Sequence, residues 1–339
     1  MFDFAKALRQ KRIFASGRDP CYVVIALLDP DAPFFVVLNA ASGAHDAAAA
    51  RKIIETELGA RTGKLFVAER GSELEPLSLR AAELAHAHGG AVVAAGGDGT
   101  INTVARATLP TGRPLGIIPQ GTFNYTTRAH GIPNDTREAA QALLRSRILP
   151  LQVGMVNERL FLVNAGVGLH PEILEDRETY KARFGRYRAV AFGAGVATLL
   201  RDRRQLVLQI DHDHERELVR TPSIFVGNNP LQFEQTGLSS AEDEVENLQL
   251  AAVIVKPVST FALLALAVRG ALGRLGDDER LRSFGFRRMT VNPSGRSSRP
   301  RKLKVATDGE VHVLTAPLVF SIAPRRLPLL VPTLPIESS

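Results

Sequence analysis

One cysteine, Cys21, serves the whole chain of 339 residues. A single thiol excludes an internal disulfide and any cysteine-rich zinc site, and it fits a reducing compartment. Long apolar runs are missing too: "FALLALAV" (261–268) is too short to span a bilayer. The opening residues "MFDFAKALRQKRIFASGRDP" lack the long apolar centre and the small-residue cleavage site of a secretory signal. These absences lead us to expect a cytoplasmic protein. No internal repeat stands out, and no Ser-His-Asp arrangement can be assembled. His86 and His88 lie two apart near a helix end and point in different directions. His212 and His214, alternating with acids in "IDHDHERE", read as a polar hairpin tip.

The common phosphate motifs are absent as well. After Gly97 and Gly99, position 102 is asparagine, so the dinucleotide fingerprint G-x-G-x-x-G fails. No G-x4-G-K-[ST] occurs, hence no lysine placed for the β- and γ-phosphates. What the chain does have is an ordinary globular composition, 45% hydrophobic and 23% charged, with length for two domains. Its formal charge of +7 favours an anionic partner: a nucleotide, a nucleic acid or an acidic membrane surface.

Residues 33–148 alternate between short apolar strands and helices. The strand candidates are "FFVVLN" (34–39), "KLFVAE" (64–69), "AVVAA" (91–95) and "LGIIP" (115–119). Helices are expected at 47–58, 77–88, 101–109 and 136–146. That rhythm implies a parallel sheet covered on both faces. From 149 to 330 short strands and turns predominate, reading as a β-rich, sandwich-like second domain. Helical stretches interrupt it at roughly 172–203 and 259–275.

Three glycines and one carboxylate separate strand 91–95 from its helix in "AVVAAGGDGTINTVARA". Glycine lets the backbone turn tightly and come close to a ligand. The helix N-terminus that follows presents free N–H groups suited to phosphate. Asp98 would repel phosphates unless Mg²⁺ lies between them; the alternative is a tight turn in which Asp98 bonds its own backbone. A second such loop, "PQGTFN" (119–124), offers Gly121, Thr122 and Asn124, and the end of the first strand offers Asn39 and Ser42. Polar loops at strand C-termini are where open α/β sheets bind ligands.

"GGDGT" (96–100) followed by "PQGTFN" resembles the diacylglycerol kinase catalytic domain, a family related to sphingosine and ceramide kinases and, more distantly, NAD kinases. The resemblance implies an α/β nucleotide-binding domain of NAD kinase-like type, a β-sandwich-like C-terminal domain, and an active site in the cleft between them. It implies ATP and Mg²⁺, with Gly96, Gly97, Asp98, Gly99, Thr100 and Asn102 lining the phosphates. Gly121, Thr122 and Asn124 would contribute from the second loop, and Asn39 from the first strand end. The family's C-terminal Asp-Gly-Glu appears as "TDGEVHV", so Glu310 matches its general base. Asp98 and Asp308 are the carboxylates for the catalytic metal. Read from the residues alone, "ATDGEV" is a hairpin turn, since Asp-Gly is a strong turn signal; a turn can also present Glu310 to a cleft.

The resemblance has gaps. Tyr125 follows Asn124 where the family often has aspartate, close to the implied acceptor site. "GNNPLQFEQTGLS" (227–239) lacks the family's glycine run. "SSAEDEVENLQL" (239–250) holds Asp243, Glu244 and Glu246 without the structural Mg²⁺ loop of some bacterial relatives, and reads as an acidic surface loop.

Residues 177–204, with eight basic and two acidic side chains among apolar ones, suit an anionic membrane surface as an amphipathic helix, and 259–275 offers a second apolar surface. "RSSRPRKLK" (296–304) has no interleaved aromatics, which argues against nucleic acid. The expected activity is phosphorylation of a membrane-lipid hydroxyl, diacylglycerol first, with ceramide or a sphingoid base competing, by a peripheral protein of the inner membrane face. NAD kinase-like phosphorylation of a soluble acceptor, or a non-catalytic nucleotide or lipid sensor, are the other readings.

Overall fold

The structure, a computed structural model, describes residues 27–42, 47–121, 124–169, 205–213, 215–230, 248–271, 278–295 and 301–333, with a few more between these segments. Cys21, Thr122, His214, the stretch 177–204, residues 296–300, and Asp243, Glu244 and Glu246 lie outside the described residues.

Four strands, β1 (Phe34–Asn39), β2 (Thr62–Ala68), β3 (Ala91–Gly96) and β4 (Leu115–Pro119), run parallel, with β1 between β2 and β3 and β4 beyond β3. Every residue of β3 and β4 is buried, as a sheet covered on both faces requires. The covering helices are α1 (Ala47–Leu58), α2 (Gly71–Ala87), α3 (Asp98–Thr108), a short α4 (Tyr125–Ala129) and α5 (Thr136–Leu144). Alternation along β1 sorts them. Phe35 and Val37 share a core with α2 and α3, whereas Phe34, Val36 and Leu38 share another with α1 and α5.

Two helix starts differ from the expected ones. Helix α2 begins at Gly71 rather than 77, because Glu73 Oε2 folds back to accept the amides of Glu69 and Arg70 (3.0 and 3.2 Å), and Pro76 is carried inside the helix. Helix α3 begins at Asp98, so the last residues of "GGDGT" are a first helical turn.

The rest of the chain supplies β5 (Ser146–Leu151), β6 (Gly154–Val156), β7 (Arg159–Phe161), β8 (Asn164–Gly168), β9 (Leu206–His212), β10 (Glu215–Thr221), β11 (Ser223–Gly227), β12 (Leu250–Val255), α6 (Thr260–Ala271), β13 (Leu281–Phe286), β14 (Arg288–Pro293), β15 (Lys302–Thr307), β16 (Glu310–Thr315), β17 (Leu318–Ile322) and β18 (Leu327–Pro332). Two sheets, ordered β10-β9-β14-β17-β6-β7 and β13-β12-β11-β8-β15-β16, face each other across one core. That core joins Ile210, Met289 and Phe320 from the first to Val167, Ile254 and Val305 from the second. The architecture is thus α/β plus β.

Strand β18 leaves the β-rich region and inserts between β4 and β5, completing a first sheet of order β2-β1-β3-β4-β18-β5. The hairpin expected here forms between β9 and β10, with His212 paired to Glu215, but His212 itself is buried rather than a polar tip. It ends β9, is 8% exposed, and its ring stacks on Phe284 with centroids 4.2 Å apart.

Candidate active site

At the end of β3, Gly96 has no room for a side chain: a Cβ there would lie 2.5 Å from Thr100 Oγ1. That hydroxyl accepts from Asn39 Nδ2 at 2.8 Å, and Asn39 Oδ1 accepts from Ala41 N at 3.1 Å. Asn39 and Thr100 therefore tie the ends of β1 and β3 together through their side chains. The first intrahelical bond of α3 runs from Ile101 N to Gly97 O (3.0 Å), so the amides of Asp98, Gly99 and Thr100 precede it. Such amides at a helix N-terminus attract anions. The second glycine loop touches the first, backbone against backbone: a Cβ on Gly121 would lie 3.0 Å from Gly97 Cα and 2.7 Å from Asn124 Oδ1.

Asp98 joins the two loops rather than bonding its own backbone. Its Oδ2 accepts from Asn124 N at 3.2 Å. Asn124 has φ +47° and ψ +47°, the left-handed region that asparagine tolerates better than most residues, and its Nδ2 donates to Gly121 O at 2.8 Å. Asp98 Oδ1, Asn124 Oδ1 and Gln120 Nε2 are buried without partners among the described residues. Burial, and then the neighbouring Asp308, raise the Asp98 pKa.

The β15–β16 hairpin turns on Asp308 and Gly309, with φ of +47° and +90°, the positive pair that a two-residue hairpin turn uses. Asp308 Oδ1 accepts the amides of Val163 and Asn164, both at 2.9 Å, and Oδ2 accepts Leu162 N at 2.7 Å and Asn102 Nδ2 at 2.8 Å. A carboxylate offers about four acceptor positions, and all are filled by donors. Burial pushes this carboxyl up from its ordinary range, and the four donors oppose that. Asn102 Nδ2 also donates to Leu160 O at 3.2 Å. Asp308 and Asn102, expected from the sequence to serve in metal ligation and phosphate contact, here tether α3 and the hairpin to the turn after β7. From the other side, Asn228 Nδ2 donates to Leu162 O (3.0 Å) and its amide to Val163 O (2.8 Å). The segment lacking the glycine run thus serves the same turn.

Glu310, first residue of β16, lies over the glycine loop: a methyl group at Gly99 would sit 2.8 Å from its Oε1. Its side chain is 55% exposed, and its Oε2 is 3.8 Å from His312 Nε2. Burial raises its pKa; Arg159 and Arg106 pull it down and Asp308 adds to the rise. A cavity of about 420 Å³ opens here, lined by Asn39, Gly97, Gly99, Thr103, Arg106 and Glu310 among others.

Residues 33–156 match the family described as the diacylglycerol kinase catalytic domain. A diacylglycerol kinase of Bacillus subtilis (strain 168) is 43% identical over 88 residues, 25% of this chain and 29% of that protein. A diacylglycerol kinase of Staphylococcus aureus (strain JH9) is 37% identical over 93 residues, 27% of this chain and 30% of that protein. The chain thus spans less than a third of these curated relatives. In fold the likeness is broader: the crystal structure of a diacylglycerol kinase from Bacillus anthracis str. Sterne superposes with a TM-score of 0.63 at 19% identity, covering 88% of this chain and 96% of that one.

The donor set separates the two expected metal carboxylates. Asp98 keeps a buried, unpartnered Oδ1 and fits a cation; Asp308, with four donors, does not. Among the described residues no group of three or more His, Cys, Asp or Glu could hold a metal. Mg²⁺ at Asp98 would take its other oxygens from phosphate and water, its usual habit. The sequence reading also missed Arg106, Arg159 and His312. Arg106 falls on the helical face of Gly99 and Thr103, and His312 two residues beyond Glu310 on a strand, so both carried a periodic signal. Arg159 arrives through topology alone. Tyr125 packs partly buried against the α2–α3 core.

Proposed function

We propose that the protein is an ATP- and Mg²⁺-dependent lipid kinase that phosphorylates a membrane-lipid hydroxyl, with diacylglycerol the first choice and ceramide or a sphingoid base the competitor. The observation that carries this reading is the position of Glu310 against Gly99, which sets a carboxylate beside the amides proposed to hold the γ-phosphate. Glu310 takes the hydroxyl proton as the new O–P bond forms and the bond between the γ-phosphorus and its bridging oxygen breaks, releasing ADP. The amides of Asp98, Gly99 and Thr100 orient the phosphates, and Mg²⁺, when bound at Asp98, neutralises their charge. The diacylglycerol kinase names of the matched relatives support the acceptor class.

Access to a bilayer is proposed through α6. Phe261, Ala265 and Val268 recur at i, i+4 and i+7 and are exposed, Phe261 to 80%. No helix among the described residues is long and apolar enough to cross a membrane, so contact would be peripheral, at the inner face.

Incubation of the protein with radiolabelled ATP and a mixed lipid extract tests the reading. Label should enter a lipid with wild type, and Asp98→Ala and Glu310→Ala should each reduce it about a hundredfold or more. A protein that labels no lipid would refute the activity, and undiminished labelling by both variants would refute the site.

A further inference from the structure

We infer that the cleft contains a second site for a phosphate-class oxyanion, formed by Arg106 and Arg159, on the side of Glu310 away from the glycine loop. The inference rests on the kinase reading for its role and on geometry for its existence. Gly99, Thr103 and Arg106 share one face of α3, and seven residues of helix separate Gly99 from Arg106 by roughly 10 Å. Glu310 meets this face at its Gly99 end. Arg106, Arg159, Thr103, Glu310 and His312 line one small cavity of about 60 Å³, which Asn102 and Thr307 help to close. Arg106 also lines the large cavity that holds Gly97 and Gly99, so the two spaces share a wall.

The charges in this corner are not matched among themselves. Both guanidinium groups act on Glu310 and on His312, whose pKa burial lowers first and the two arginines lower further. His312 is therefore neutral near pH 7 and adds no positive charge of its own. Asp308 is committed to its four donors. Glu310 faces the two arginines at a separation too long for an ion pair. Arg106 has one ion partner, Glu75, at 2.9 Å with the glutamate side chain 62% exposed. Exposed pairs of this kind contribute little and exchange readily. Arg159 makes no ion pair or hydrogen bond among the described residues. Two arginines converging on a half-buried space form a fork suited to phosphate oxygens; the Thr103 hydroxyl beside them is already committed, donating to Gly99 O at 3.0 Å.

The same chemistry has two sources. One is a phosphate of the nucleotide itself, which would stretch the chain of phosphates along α3. The other is an anionic group on the acceptor whose hydroxyl lies at Glu310. The acceptor would then be an anionic lipid, and neutral diacylglycerol would leave the arginines without a partner.

Titration calorimetry of the full chain with ADP, adenosine and inorganic pyrophosphate, for wild type, Arg106→Gln and Arg159→Gln, tests the site. If the source is the nucleotide, ADP and pyrophosphate weaken roughly tenfold or more in both variants while adenosine is unchanged. If it is the acceptor, ADP is unchanged, and the variants raise KM for phosphatidylglycerol in mixed micelles by a clearly larger factor than KM for diacylglycerol. Arg159→Lys, which keeps the charge without the fork, should recover part of either loss. Should a glutamine variant fail to fold, Glu310→Gln provides the converse reading, since removing the intervening carboxylate must tighten pyrophosphate. Unchanged ADP, pyrophosphate and phosphatidylglycerol behaviour in the arginine variants, or no tightening in Glu310→Gln, overturns the proposal. The calorimetric arms need no lipid turnover, so a protein that labels no lipid can still pass or fail them.

Discussion

Gly96 and Gly99 stand three residues apart and need their missing side chains for different reasons. At Gly96 the obstacle is buried Thr100, held by Asn39, with nowhere to move. At Gly99 it is the far end of Glu310, a flexible and half-exposed side chain. Gly96→Ala should therefore lower stability by about 1–3 kcal/mol, whereas Gly99→Ala should leave the melting temperature nearly unchanged and cut activity by displacing the carboxylate. Thermal melts paired with kcat for the two variants check the contrast; equal losses of stability would contradict it. The pH response also belongs to single residues. Burial lowers the pKa of His130 from 6.5 to about 4. The folded protein favours the neutral ring, so this stability is present above pH 6.5 and is lost as pH falls from 6.5 towards 4. Melting temperature against pH should fall across that window, and less so in His130→Gln. Activity should decline on acidification as well, because burial raises the pKa of Glu310 and a protonated glutamate cannot accept a proton.

The β15–β16 hairpin shows what one element does beyond its residues. Its turn points Asp308 inward to receive three backbone amides and one side-chain amide, and the strand that follows starts with Glu310. Asp308→Ala leaves those donors without a partner and should destabilise by roughly 3 kcal/mol or more. It should also release Asn102 from its carboxylate, loosening α3 against the hairpin. Urea unfolding of this variant beside Glu310→Ala distinguishes an anchor from a catalytic group: the first loses stability, the second only turnover. Helix α6 carries its own prediction. Phe261→Asp should reduce co-sedimentation with anionic vesicles while nucleotide binding stays as in wild type, and unaltered sedimentation would remove α6 from the membrane contact.

At the scale of the molecule, the chain crosses from the first sheet into the two facing sheets and returns. Strand β18 buries Leu327, Leu329, Leu330 and Val331 between β4 and β5. Four buried aliphatic side chains contribute roughly 6–12 kcal/mol, comparable with the whole stability of a domain. A chain ending at residue 324 should thus fail to fold its first sheet, measured as loss of cooperative unfolding; retention of a normal melt would show that β18 is dispensable. The same return holds β5 and the turn after β7 in place, so the glycine loops and the hairpin reach the cleft as parts of one packed body.

The sequence alone determined the local pieces of this protein. Continuous apolar runs marked β1 and β4 to the residue, because a strand covered on both faces leaves no polar position to blur its ends. Glycine spacing marked the two glycine loops, because only glycine fits where backbone must meet backbone, and Asp-Gly marked the hairpin. Tertiary structure decided which side chains are free to act. Asp98 and Asp308 read alike as carboxylates, yet one keeps an oxygen without a partner among the described residues and the other has four donors, a difference made by amides 144 to 146 residues away. Asn102 is likewise claimed by Asp308, 206 residues distant. Arg159 enters the cleft because β7 lies beside α3. Hydrogen-bond saturation and proximity are properties of the folded chain, and no period or motif in the sequence encodes them.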